Sequence, residues 1–330
     1  MHDTHHAIRL NAKTFPLTHE EQEIYREAGF ELTEAESPDL ELFSLHPETA
    51  ALCVVSAKIN STMIDHLPNL RVISRFGSGT DNIDEAAAAS RGIRITNIPE
   101  FCLSEVADHT MALLLASARK LLVMDTATRT GQWLARVQEK MHRIEGRQLG
   151  LVGFGRIAQE VAKRAIPFGL RVVVADPQLD REAASRIGAE PIGLNELLAS
   201  SHFVSLHVPL TPGTRHMLGK SQFEMMRPDA ILINTARGAV VDEGALVAAL
   251  QQQRIAGAAL DVFEGLEMFG PDPKPVDHPL FHLPNVVLSP HAAACSEESL
   301  SSLMRRGAQN AVNAVLEGSG LDYDRRITQR

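Results

Sequence analysis

An arginine and a histidine, Arg237 and His291, each stand where an apolar run ends and small residues follow, in Asn234-Thr-Ala-Arg-Gly238 and Ser289-Pro-His-Ala-Ala293. A guanidinium at a strand end, followed by glycine and by a helix start at Asp242, is suited to fork onto a carboxylate through two parallel hydrogen bonds. An imidazole moves protons near neutral pH. Taken singly, Arg237 has a surface ion pair as its plain alternative, and His291 a structural hydrogen bond. Together they describe a site that holds a small anion and exchanges a proton with it.

A second constellation supplies the redox partner. Gly153-Phe-Gly-Arg-Ile-Ala158 follows the apolar run Leu149 to Val152 and opens a helical segment, and Asp176 closes the next apolar run. Gly153 and Gly155 permit a tight turn and close backbone approach to a pyrophosphate, whose charge then sits on a helix N-terminus; Ala158 is small enough for helix to pack on strand. An acid at Asp176 accepts from both hydroxyls of an adenosine ribose and repels a 2′-phosphate, so NAD is expected over NADP. Asp176, then His207 with Pro209, then Thr235, Ala236 and Arg237, then Asp261, then His291 each end a strand of one series, which places them along one sheet edge.

The elements that must position these residues read as two α/β units. Runs at 8–10, 51–57, 71–76 and 93–98 predict a small parallel sheet, with a capping box at Thr18 and Glu21 and the polar loop Gly77-Ser-Gly-Thr80 after a strand end. Ser104 begins a long, mostly apolar helix, suited to burial on several sides. Strands at 149–152, 171–175, 203–208, 230–235, 257–262 and 285–289 then make a complete doubly wound fold, and Ser296 caps a closing helix with Glu297 and Glu298 in its first turn. The expected fold is therefore two-domain α/β: a Rossmann-type NAD domain, residues 103–294, inserted into a flavodoxin-like substrate domain, residues 1–102 and 295–330, with hinges near 101–104 and 292–296.

Composition narrows the class. At 330 residues with 44% hydrophobic and 22% charged positions, the chain is long enough for two cores. A net charge of −9 without a dense basic run argues against a nucleic-acid partner, and no segment has the length and apolarity of a membrane span. Cys53, Cys102 and Cys295 are too few and scattered for a disulfide framework or a cysteine metal site, which suggests a reducing cytoplasm. His2, His5 and His6 read as a solvated leader rather than a metal site, and no metal is expected.

The chain resembles the D-isomer-specific 2-hydroxyacid dehydrogenases over nearly its whole length. The resemblance is carried by Arg75-Phe-Gly-Ser-Gly-Thr-Asp-Asn-Ile-Asp84, Glu105-Val-Ala-Asp108, Gly150-Leu-Val-Gly-Phe-Gly-Arg-Ile157, Asn234-Thr-Ala-Arg-Gly238, Val241-Asp-Glu-Gly-Ala-Leu246, Gly257-Ala-Ala-Leu-Asp-Val-Phe263 and Ser289-Pro-His-Ala-Ala293. It implies that Arg237 orients the carboxylate and carbonyl of a 2-oxo acid, that His291 exchanges the proton, and that a glutamate pairs with that histidine. It also implies that the backbone at Ser78 and Gly79 receives the carboxylate, that Arg156, Ile157, Asp176, His207, Pro209, Thr214, Thr235, Ala236 and Asp261 contact the cofactor, and that the chain forms a homodimer through the segment from Ser104 to about Arg143.

Two departures from the family pattern stand out. After Asp261-Val-Phe the usual Glu-Pro is missing; Glu267, reached by a one-residue insertion, is preferred over Glu264 as the partner of His291, on the expectation that a nearby carboxylate orients the ring and raises its pKa. Several motifs lie closest to the branch of the C-terminal binding protein corepressors and its bacterial relatives, yet Ala294 stands where those proteins carry Trp. Phe76, Ser78, Phe101, Cys102 and Ala294 are expected to line the substrate pocket. The reading is an NAD-dependent oxidoreductase interconverting a small 2-oxo acid and a D-2-hydroxy acid, with an NAD(H)-sensing module or a dehydrogenase of another small anion as the alternatives.

Overall fold

The structure, a computed structural model, describes residues 5–134, 136, 140–266, 269 and 276–316. The chain divides into two compact units: Met1–Phe101, Phe269–Lys274 and Ser296–Arg330 in one, Cys102–Met268 and Pro275–Cys295 in the other.

The first unit is a five-stranded parallel sheet. Its strands are β1 (His5–Arg9), β2 (Phe30–Glu34), β3 (Thr49–Val54), β4 (Val72–Arg75) and β5 (Arg94–Thr96), in the order β2-β1-β3-β4-β5, which is the flavodoxin-like order. Every residue of the central strand β3 is buried, because helices cover both of its faces. Alternate side chains serve different cores. Ala51 and Cys53 join the helix Glu297–Leu316 and Tyr25, while Leu52 and Val54 join Ile64, Leu67 and Ile73. The closing helix begins as expected, with the Ser299 N–H donating to Ser296 Oγ at 2.9 Å.

Two expectations fail in this unit. His5 and His6 belong to strand β1 and not to a solvated leader; His6 is buried, its ring nitrogens 2.9 Å from the hydroxyls of Thr49 and Thr33. Beside it His46 and Glu48 complete a cluster of three possible metal-binding side chains, but the two imidazoles are stacked within 9° of parallel. Lone pairs in parallel planes do not converge on one ion. Burial and the neighbouring His46 lower the pKa of His6, keeping the ring neutral. Phe76 also lies elsewhere than expected: it is packed in the core beneath the Arg9 guanidinium and against Gly307, where an added Cβ would come within 2.5 Å of the ring.

The second unit is a seven-stranded parallel sheet of β6 (Gln148–Val152), β7 (Arg171–Ala175), β8 (Glu190–Pro191), β9 (Phe203–Leu206), β10 (Ile231–Asn234), β11 (Gly257–Leu260) and β12 (Val286–Leu288). The order β12-β11-β10-β9-β6-β7-β8 is doubly wound, with its topological switch between β6 and β9. Leu149, Leu151, Val172 and Val174 face one core, shared with Ala107, Met111 and Leu114 of the helix Leu103–Ala118; Val152, Val204, Leu206 and Leu232 face the other. That helix packs on β10, β11 and β12 and against the helix Arg156–Ala165. It starts one residue before Ser104, and Cys102 occupies its cap position without a side-chain hydrogen bond. No helix among the described residues is long and apolar enough to cross a membrane.

One polar feature sits deep in the first unit. Arg9 and Glu21 are both fully buried, with Nε donating to Oε1 at 2.7 Å, and the guanidinium also donates to the carbonyls of Leu10 and Phe15. Burial raises the Glu21 pKa, and the arginine's charge and hydrogen bond oppose that rise. Breaking such a pair strands a charge, whereas replacing both partners with apolar groups removes the desolvation cost. Glu21→Ala is accordingly expected to lower unfolding free energy in urea by about 3–5 kcal/mol. The double change Arg9→Met with Glu21→Leu is expected to cost less than that single change, and a larger loss in the double would refute this account of the pair.

Candidate active site

The C-terminal edge of the second sheet gathers most of the residues picked out by spacing. At the switch point Gly153 adopts φ +87°, and a Cβ there would lie 2.7 Å from the His207 carbonyl oxygen, so β6 and β9 end in loops that only glycine lets approach. Gly155 differs. It is exposed, and among the described residues an added Cβ would meet nothing within 4 Å; the free space lies in front of the helix Arg156–Ala165, whose start carries no side-chain cap from them. Backbone N–H groups at such a start form a cradle for a phosphate. Arg156 is exposed and Ile157 half-buried at the head of this helix, and Ala158 is fully buried behind it.

Asp176 closes β7 and is held by the turn it faces. Oδ2 accepts the Phe154 N–H at 2.8 Å and Oδ1 accepts the Gln178 N–H at 2.8 Å. The carboxylate thus ties the glycine turn to β7. It also borders a recess of about 420 Å³ lined by Val174, Pro177, Leu179, Arg181 and Ile192. The uncapped helix start, the open space at Gly155 and this recess on one sheet edge fit a dinucleotide.

Around β9 the backbone is organised by hydroxyls. Burial pushes the His207 pKa down to about 4, so its ring is neutral at ordinary pH, with Nε2 2.9 Å from Ser205 Oγ. Thr214 Oγ donates to the Pro209 carbonyl at 2.6 Å and accepts the Thr211 N–H, closing the loop that contains both expected contacts.

Arg237 projects from a loop that a buried asparagine shapes. Asn234 donates to the Arg237 carbonyl at 2.9 Å and accepts the Ala236 N–H at 3.0 Å, a role that the sequence analysis did not give it. Thr235 is anchored by its hydroxyl to Thr110 at 2.9 Å. Gly238 is packed against the main chain of the next crossover, where an added Cβ would lie 2.1 Å from the Phe263 carbonyl carbon. The Arg237 loop and the segment after Asp261 are therefore locked backbone to backbone. Arg237 Nη1 donates to the Ala236 carbonyl at 2.8 Å, and the guanidinium's charge reaches Cys102, whose thiol burial nevertheless pushes up to about 12.

His291 has a left-handed backbone, φ +55°, and Asp261 holds it there. The His291 N–H donates to the Asp261 carbonyl at 2.8 Å, while the Asp261 carboxylate accepts the N–H groups of Ala292 and Ala293 at 2.9 Å and the Ser289 hydroxyl at 2.6 Å. Burial alone would raise the Asp261 pKa, but the facing His109, the Ser289 hydroxyl and the two amides outweigh it and hold the carboxyl below its ordinary range. Asp261 was expected as a cofactor contact. Its side chain is buried with both oxygens engaged, and those hydrogen bonds fix the His291 loop.

Glu264 accepts from Arg215 at 2.8 Å and pairs with His216 at 2.7 Å, and its own N–H donates to Glu243 at 2.6 Å; its carboxylate is taken up by His216 and Arg215. Glu267 lies outside the described residues. In the first unit the Gly77–Thr80 loop follows β4, with the Ser78 carbonyl held by Asn97 at 2.7 Å and Ser78 and Gly79 half-buried. Cys53 and Cys102 are buried as free thiols, and Cys295 is exposed.

The comparisons with known proteins agree with one another. Residues 111–293 match the family model for the NAD binding domain of D-isomer specific 2-hydroxyacid dehydrogenases. A glyoxylate reductase of Thermococcus litoralis is 40% identical over 270 residues, covering 80% of this chain and 79% of that protein. Among solved structures, a glyoxylate reductase from Paecilomyes thermophila superposes with a TM-score of 0.84 at 28% identity, covering 97% of this chain and 98% of that one. A D-lactate dehydrogenase from Aquifex aeolicus, complexed with NAD and lactic acid, gives 0.83 at 26% identity and covers 94% and 96%.

Proposed function

Since the chain belongs to the D-isomer-specific 2-hydroxyacid dehydrogenase family and is thereby an NAD-dependent oxidoreductase of 2-oxo and 2-hydroxy acids, we propose that Arg237 and His291, with Glu267 as partner of the histidine, carry its reaction. The observation that carries this reading is the rigid presentation of the first two: Arg237 on a loop pinned by Asn234 and Gly238, His291 on a loop pinned by Asp261. Side chains that must meet a developing charge need such pre-organisation.

In this reading Arg237 forks onto the carboxylate of the acid and polarises the neighbouring carbonyl, and the His291 imidazole gives the proton that the reduced oxygen gains. In oxidation the same ring takes the proton back. The bound dinucleotide supplies or accepts the hydride at the 2-carbon. Gly153, Gly155, Arg156 and Ile157 would hold its pyrophosphate and Asp176 its ribose, with His207, Pro209, Thr214, Thr235 and Ala236 lining the rest of its path. The backbone at Ser78 and Gly79 is proposed to receive the acid's carboxylate. A small unbranched 2-oxo acid such as glyoxylate is the substrate class to test first, given the relatives named glyoxylate reductase.

A homodimer is also proposed. Leu121 and Leu122, on the helix Leu121–Arg129, are 59% and 48% exposed, and Trp133 and Leu134 just beyond it are both 64% exposed. Apolar side chains grouped in this way on an outer surface are what a second subunit would cover. Sedimentation of the protein with Leu122→Glu and Trp133→Glu together is expected to show a monomer where the unaltered chain shows a dimer; an unchanged mass would remove this face from the interface.

Two kinetic outcomes follow for the site. Arg237→Met is expected to lower kcat/KM for a 2-oxo acid about tenfold to a hundredfold, as loss of a charge-assisted pair worth about 1.5–3 kcal/mol implies, with NADH affinity nearly intact. Turnover unchanged in that variant would take Arg237 out of the mechanism. Asp176→Ala is expected to raise the ratio of NADPH to NADH use, because it removes the charge that would oppose a 2′-phosphate. It should also weaken NADH binding, since the Phe154 N–H loses its acceptor; a ratio that does not rise would refute the ribose role.

A further inference from the structure

We infer that His109 is a positioning residue that sets the His291 loop through Ser289 and Asp261, an inference that rests on the role proposed above for His291. His109 lies on the helix Leu103–Ala118, and its Nε2 is 2.8 Å from Ser289 Oγ and 3.5 Å from Asp261 Oδ1. Ser289 Oγ in turn donates to Asp261 Oδ1 at 2.6 Å. A hydroxyl has one proton. With that proton committed to the carboxylate, Oγ accepts from His109, so the imidazole carries hydrogen on Nε2 and the donors run in one direction, ring to hydroxyl to carboxylate.

The Asp261 carboxylate is where these contacts meet. It takes the Ala292 and Ala293 amides, and the same residue's carbonyl takes the His291 amide, so the orientation of Asp261 decides the backbone from 291 to 293. A left-handed backbone is strained in a non-glycine residue. Hydrogen bonds to a buried charge are stronger than those between neutral groups, so the carboxylate offsets that strain only while it is aimed at those amides. Its remaining freedom is rotation of its own side chain, and the Ser289 hydroxyl, itself fixed by His109, is what opposes rotation.

His109 is suited to this part because little else depends on it. Its ring is 27% exposed and borders a recess of about 340 Å³ with Asp108, Ala112 and Cys295, whereas the core-facing positions of the same helix are Val106, Met111, Leu113 and Leu114. Truncation there widens an existing recess instead of opening a cavity in the core.

The test compares His109→Ala, Ser289→Ala, their double variant and His109→Gln, whose amide can still donate to the hydroxyl. With glyoxylate and NADH, each alanine variant is expected to lose about tenfold to a hundredfold in kcat, the size of effect that slight misplacement of a reacting group produces. KM for NADH should be unchanged, the double variant should be no slower than the slower single, and His109→Gln should recover most of the loss. Amide hydrogen exchange at residues 291–293 should quicken at least tenfold in the alanine variants and not in His109→Gln. Losses that multiply in the double variant, a kcat that does not change, or exchange that stays slow would each overturn the inference. If the unaltered protein reduces no 2-oxo acid, the proposed function falls, and the exchange rates alone then decide whether His109 sets the loop.

Discussion

A buried carboxylate surrounded by main-chain amides is the constraint on which the active edge of this molecule depends. Asp261 has no exposed surface, yet it stays charged because Ser289, Ala292 and Ala293 supply hydrogen bonds that replace lost water. Neutral donors suit the task better than a cation would. A salt-bridged lysine would neutralise the charge without fixing any backbone, whereas amides from successive residues can be satisfied only in one chain conformation. The burial of polarity is thus converted into geometry, and the left-handed turn at His291 is its product.

The same logic extends along the sheet edge. Asn234 does for the Arg237 loop what Asp261 does for the His291 loop, and Gly238 joins the first loop to the segment after Phe263 at a distance that no side chain allows. Glu264 continues the chain of restraints. Its carboxylate is gripped by Arg215 and His216 and its amide by Glu243, so the chain leaving β11 is fixed on both sides before it reaches residue 267. The segments bearing Arg237 and His291 are therefore fastened to one sheet, which is the arrangement that open parallel sheets favour at their C-terminal ends.

Much of this was legible in the sequence, and the pattern of failures has physical reasons. Central strands such as β3 and β6 announce themselves because both faces are covered and the residues are apolar without interruption. The edge strands β2 and β8 went unread, since Phe30-Glu-Leu-Thr-Glu34 is covered on one side only and Glu190–Pro191 is two residues long. The proposed chemistry-bearing residues stood out by type and by position after a strand. Their supports did not. Asn234, Ser289 and His109 are defined by what they touch across 3, 28 and 180 residues of chain, and a single sequence has no signal for such pairings. The buried state of Asp261 was hidden for the same reason, because a carboxylate at a strand end looks alike whether it faces a ligand or its own loop. His5 and His6 misled by composition, since histidines near an N-terminus suggest solvent until β1 is seen to carry them inside.

The two units use buried charge in different ways, and the difference bears on what each can tolerate. In the first, Arg9 and Glu21 neutralise each other within the core, with one glutamate oxygen left without a hydrogen-bond partner among the described residues. Such a pair contributes little net stability over an apolar alternative. In the second, the charge of Asp261 is met by the Ser289 hydroxyl and the Ala292 and Ala293 amides, with the His109 ring at 3.5 Å, and these contacts fix main-chain conformation at the site itself. Substituting the first arrangement alters how firmly the unit folds. Substituting the second leaves three donors stranded next to His291, so position 261 bears more on the conformation of that loop, and on the role proposed for its imidazole, than on the stability of the sheet that carries it.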